Sequence, residues 1–159
     1  MRDFNYLTLL VAACAALLIV GCDDKESSTS APKPIAITYS LLDGCWQLAE
    51  WNGAPLAEGT FCYVRFDRSE QRFEFYDNLA TMYTRRTSGT FAVEHDDYDR
   101  YILSGTYDYG LGEWNNSYEV VAYYPADDMV WTTLDGVEHT RYVRIEAIPE
   151  EIIAEAREE

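Results

Sequence analysis

Cys62-Tyr63-Val64-Arg65-Phe66-Asp67-Arg68-Ser69-Glu70-Gln71-Arg72-Phe73-Glu74-Phe75-Tyr76 alternates apolar and polar side chains on both sides of a polar break. In an extended chain Val64 and Phe66 fall on one face, with Arg65 and Asp67 on the other. Phe73 and Phe75 stand in the same way against Arg72, Glu74 and Tyr76. A period of two marks a strand with one buried and one wet face. The break Arg68-Ser69-Glu70 is short enough to make the two strands antiparallel neighbours.

The same texture continues in both directions. From Leu41 onward, short segments rich in Tyr, Phe, Trp, Thr and Val are separated by Asn52-Gly53, Asp96-Asp97, Pro125 with Asp127-Asp128, and Asp135-Gly136. This predicts strands over 43–51, 60–67, 71–77, 80–86, 88–94, 98–108, 117–124, 128–134 and 138–146. Asp77-Asn78 is a weak turn, so 71–77 and 80–86 are read as one bent strand, which makes eight. Asp135-Gly136 reads as a type I′ hairpin turn. Gly105 inside a strand reads as a bend. Short links make the chain meander, and eight meandering strands lose their exposed edges by closing. The expectation is an all-β, up-and-down antiparallel eight-stranded barrel over 39–147. Pro149, the acids Glu150 and Glu151, then Ile152, Ile153 and Ala156 predict a short C-terminal helix within 148–159, with a charged tail as the other reading.

The first residues are of another kind. Arg2 precedes an apolar run from Leu7 to Val20 that stops at Gly21-Cys22-Asp23-Asp24. The run is too short to span a bilayer comfortably, and a small residue directly before Cys22 resembles the lipobox of bacterial lipoproteins. That resemblance implies that residues 1–21 are a removed signal peptide and that Cys22 carries acyl chains. The protein is then anchored by lipid in the cell envelope of a Gram-negative bacterium, at the outer membrane, facing the periplasm or the surface. Asp23 to Thr38 holds Ser27, Ser28, Ser30, Pro32 and Pro34 with few apolar residues, so 22–38 reads as a disordered tether.

A formal charge of −16 makes nucleic acid an unfavourable partner. Cys45 and Cys62 remain outside the leader. Cys45 faces away from Trp46 while Cys62 shares a face with Val64 and Phe66, so a bridge between them needs a bulge.

Gly44-Cys45-Trp46 at the start of the first strand, together with Thr140-Arg141-Tyr142-Val143-Arg144 in the last, resembles the lipocalin-like group of the calycin superfamily. The resemblance implies that Gly44 and Trp46 form the closed end of the barrel and that a basic residue, Arg144 or Arg141, lies over the indole. A guanidinium on an indole contributes about 0.5–2 kcal/mol. The compact length, without a long loop over the barrel mouth, leaves little room for a large cavity.

Little else carries chemistry. His95 and His139 lack metal-ligand spacing, and Ser88, Ser104 and Ser117 lack a nucleophile motif. The acidic run Glu94 to Asp99 reads as a solvated turn that lacks the pattern of a calcium loop. No catalytic residue, metal or cofactor is expected. Tyrosine is the notable excess: Tyr98, Tyr101, Tyr107, Tyr109, Tyr118, Tyr123 and Tyr124, with Trp114, crowd two consecutive strands. Trp46, Phe66, Phe75, Phe91, Tyr107, Trp114, Tyr118 and Trp131 are the candidates for holding a ligand. The expected function is non-enzymatic binding of a small hydrophobic or amphipathic molecule. The other reading is a barrel filled by its own side chains, which meets a protein or glycan at its surface.

Overall fold

The computed structural model of the chain describes residues 32–158. The expected signal peptide, the expected acylation at Cys22 and the first part of the expected tether lie outside these residues. The elements in chain order are α1 (Tyr39–Leu42), β1 (Gly44–Trp51), β2 (Ala54–Pro55), β3 (Cys62–Asp67), β4 (Arg72–Asp77), β5 (Arg85–His95), β6 (Tyr101–Tyr107), a 3-10 turn (Asp108–Gly110), β7 (Tyr118–Ala122), β8 (Asp128–Thr133), β9 (His139–Ile145), α2 (Glu150–Glu155) and β10 (Arg157–Glu158). Neighbouring strands run β5-β4-β3-β1-β9-β8-β7-β6, and β6 pairs back onto β5. Every one of these pairings is antiparallel, so eight strands close into an up-and-down barrel.

The alternation that opens the sequence is the barrel wall. Val64, Phe66 and Phe73 are buried, with Trp46, Leu48, Phe91, Leu103, Val120, Met129 and Trp131, in a single apolar core. The outward positions hold ion pairs: Glu74 accepts from both Arg65 and Arg86, and Arg141 reaches Glu50 and Asp128. A charged exterior around an apolar interior reverses the pattern of a barrel that spans a membrane. Among the described residues, no helix is long and apolar enough to cross one.

Several expectations change. There is no strand over 80–86. Asn78 ends β4 because its side chain takes the place of a continuing ladder, accepting from Phe61 N at 2.8 Å and donating to Gly59 O at 2.9 Å. Residues 79–83 then form a run of bends, and β5 runs unbroken from Arg85 to His95. Eight strands therefore result from the loss of one segment, with no fusion of two. The hairpin at Asp135-Gly136 is not type I′, since only Gly136 has positive φ (73°) and type I′ needs both residues left-handed. Gly105 does not bend β6, which keeps regular pairing with β5. It makes room instead: a Cβ there would stand 2.3 Å from the Trp114 ring.

The expected tether is shorter than read. Ile35 N donates to Ala122 O at 2.9 Å, and Ile37 is buried in the core. Two isoleucines at period two suffice to lay residues 35–38 on the barrel. At the other terminus, α2 buries none of its own residues, and Ile148 just before it is the buried one. Beyond α2 the chain adds β10 in parallel to Arg85–Arg86 of β5, where β6 has already ended. That short strand covers an edge that would otherwise be open.

Candidate functional site

The two ends of the barrel differ. At one end α1 lies across the floor, because the Trp46 indole donates from Nε1 to Leu42 O at 2.8 Å in a fully buried bond. The Arg144 guanidinium lies 4.1 Å from the Trp46 ring centre and donates to Asp43 O at 2.9 Å and Leu41 O at 2.5 Å. These carbonyls at the end of α1 have no helical partner, so the cation serves the helix end as well as the ring. Gly44 adopts φ +110°, and a Cβ on it would lie 3.2 Å from Arg144 Nη1. Glycine is thus favoured by conformation, and any side chain would also crowd the guanidinium. Arg141 faces outward to Glu50 and Asp128, so Arg144 is the residue that closes the floor.

The opposite end is open. The loops β1–β3, β4–β5, β6–β7 and β8–β9 surround a cavity of about 170 Å³ whose walls include Phe75, Tyr107, Trp114, Tyr118, Trp131 and Tyr142. The rings form one continuous wall: Trp114 stacks on Trp131 at 6.0 Å, Trp131 meets Tyr142 at 4.4 Å and Tyr118 at 5.6 Å, and Phe75 meets Trp114 at 5.5 Å. Drug-sized ligands fill pockets of about 300–1,000 Å³, whereas an apolar cavity of about 150 Å³ is enough for benzene. The cup therefore matches a molecule of one ring. A larger groove of about 620 Å³ lies outside the wall, but it is lined by arginines and carboxylates in ion pairs, including Arg65 with Glu74.

One polar pair sits inside the cup. Arg85 Nη2 donates to both oxygens of Asp77 at 3.2 Å, and Asp77 is almost completely buried. Asp77 Oδ1 also accepts from Leu79 N at 3.3 Å, which ties the β4–β5 loop to the site. Deeper in lie Cys62 and Tyr142, and burial is the main cause that pushes both the thiol and the phenol above their ordinary values. Burial raises Tyr107 and Tyr118 as well. Every one of these groups is neutral at pH 7, so Asp77, Arg85 and Glu138 carry the charge of the lining.

Of the residues expected to hold a ligand, Phe75, Tyr107, Trp114, Tyr118 and Trp131 meet at the cup. Trp46, Phe66 and Phe91 do not: they are packed below it, with Phe66 4.7 Å from Phe91 and 6.0 Å from Trp131. The tyrosines divide too. Tyr98, Tyr123 and Tyr124 are exposed, and Tyr101 stacks on His95 at 4.7 Å at the far end of β6. Cys45 and Cys62 are both free. Asp96 accepts from Tyr98 N, Arg100 N and the Arg100 guanidinium, so the acidic turn is pinned by its own arginine. Among the described residues, no group of three or more His, Cys, Asp or Glu side chains is placed to hold a metal. Sequence reasoning missed Asp77, Arg85, Cys62 and Tyr142. The signal was there in part, since Cys62 shares a face with Val64 and Tyr142 lies in the closing strand.

No protein-family model matches the chain, and no curated protein matches it.

Proposed function

We propose that the protein is a membrane-anchored, non-enzymatic binding protein with a lipocalin-like barrel, held in the Gram-negative envelope by acyl chains on Cys22. It takes a small hydrophobic or amphipathic molecule into the cup at the open end of the barrel. The cup itself carries this reading: an aromatic-walled cavity with one internal ion pair, above a floor closed by Trp46 and Arg144. The lipocalin likeness is supported by that floor and by the up-and-down closure of eight strands. The envelope location rests on the Gly21-Cys22 pattern and the apolar run before it.

Titration of the full-length protein with toluene and with hexadecanoate, followed by tryptophan emission, tests the cup. Trp51, Trp114 and Trp131 all line it and report its occupation. Toluene should change the emission saturably, and hexadecanoate, too large for the volume, should not. An absence of response to toluene contradicts the reading.

One observation favours a protein partner as the second reading. Leu79, Met82, Leu111, Leu134 and Val137 are exposed, and all stand on loops of the open end. Such a ring of apolar side chains suits a docking protein that covers the cup.

A further inference from the structure

The inward face of β9 carries Thr140 and Tyr142, and the same period of two brings Glu138, just before the strand, into the mouth of the cup. Its carboxylate bears on Tyr118, whose phenol is raised by burial and in smaller part by Glu138. Asp77 and Arg85 reach the same mouth from β4 and β5, and they are paired with each other. Glu138 makes no ion pair among the described residues, so the lining keeps one uncompensated negative charge. The rings around it are the second observation. Phe75, Tyr107 and Tyr118 are half-buried and Trp51 is 37% exposed, so these four show surface at the mouth. Trp114 and Trp131 pack behind them, against Phe75 and Tyr118.

Charge, hydration and volume narrow what such a mouth takes. An anion would meet a like charge at Glu138 and lose its own hydration on entry. A neutral molecule leaves the carboxylate without a counter-ion. A cation answers both the carboxylate and the rings, because an aromatic face carries negative charge density and attracts a desolvated cation. A primary ammonium brings three N–H donors that ring faces pair poorly, whereas a fully methylated one has no donor to leave unpaired. The volume of about 170 Å³ holds a group of the bulk of benzene, which is also about the bulk of a trimethylammonium head. The formal charge of −16 acts in the same sense, since it draws cations toward the whole surface. We infer that the cup selects a small quaternary ammonium cation of the trimethylammonium class, held against the rings of Tyr107, Tyr118 and Trp51 with Glu138 as its counter-ion. This rests on the cup being the binding site.

Choline and 3,3-dimethylbutan-1-ol test it, since they share one shape and differ by the charge. Choline is much the better hydrated, so a cup that offered only apolar walls would bind it more weakly than the alcohol. In calorimetric titration of the full-length protein, choline should bind about tenfold more tightly than the alcohol. Glu138→Gln keeps the shape of the side chain and removes its charge. It should weaken choline about tenfold and leave the alcohol within about twofold. The main chain of Glu138, not its side chain, makes the bonds to Thr133, so the variant should keep the wild-type denaturation midpoint. Should it not fold, the comparison of the two compounds on the wild type decides alone. Choline that binds no more tightly than the alcohol, or that is unaffected by Glu138→Gln in a folded variant, overturns the inference; binding of toluene then still leaves the cup in place. No response to choline, the alcohol or toluene overturns the cup itself.

Discussion

Trp46→Ala should lower the free energy of unfolding by about 3–5 kcal/mol, the range for deleting a fully buried aromatic side chain. The substitution opens a void at the centre of the floor. It also removes the donor that holds Leu42 O and the platform under the Arg144 guanidinium. The cation–π part of this is separable. In a double-mutant cycle with Arg144→Ala, the coupling between the two residues should come out at about 0.5–2 kcal/mol. Urea denaturation of the four proteins measures both quantities. A loss below about 1.5 kcal/mol for Trp46→Ala, or zero coupling, would mean that the floor does not hold the barrel closed.

The second large effect is alkaline. Cys62 and Tyr142 are both buried, and burial raises both above their ordinary values. A raised group contributes stability that is complete below its unfolded pKa and is lost as pH climbs toward its folded one. Loss should therefore begin near pH ~8.5, where an unfolded thiol ionises, and steepen near pH ~10, where an unfolded phenol does. Each group that the fold keeps protonated costs about 1.4 kcal/mol per pH unit over this range, so the thiol and this phenol together cost about 5 kcal/mol by pH ~11. That is a large share of a typical stability of 5–15 kcal/mol. Cys62→Ala should remove the first phase, between about pH 8.5 and 10, and leave the second. Denaturant midpoints across pH 7–11 read this directly, and an unchanged slope in Cys62→Ala would contradict the account.

Which face of a strand looks inward is a property of period two, and it was legible for Val64, Phe66, Phe73 and Trp131, which are buried where alternation places them; Tyr76, which alternation sets on the wet face with Arg72 and Glu74, is instead buried at 2% exposure. Depth along the barrel is another matter. It depends on register between strands, and nothing local distinguishes Phe75, at the mouth, from Phe66 and Phe91, well below it. Five of the eight candidate residues therefore reached the cup while Trp46, Phe66 and Phe91 formed its foundation. The floor was legible because a glycine, a tryptophan and an arginine at the two ends of the barrel sequence form a resemblance. The choice of Arg144 over Arg141 had to wait for pairing with β1, where Arg144 stands opposite Trp46. Asp77 and Arg85 were illegible for a physical reason: single charges at strand ends look like turn residues, and only the β4–β5 register sets them opposite one another with the Asp77 carboxylate buried. The mistaken strand over 80–86 has a similar source, since the Asn78 side chain that replaces the ladder bonds across to residues 59–61.

Native mass spectrometry of the acylated protein, released gently from its own membrane, tests the central claim most directly. The account predicts a chain beginning at Cys22 with acyl groups attached, carrying in part of the population one added molecule of single-ring size. A chain that retains residues 1–21 without acylation, or a chain carrying nothing beyond its acyl groups, would contradict it.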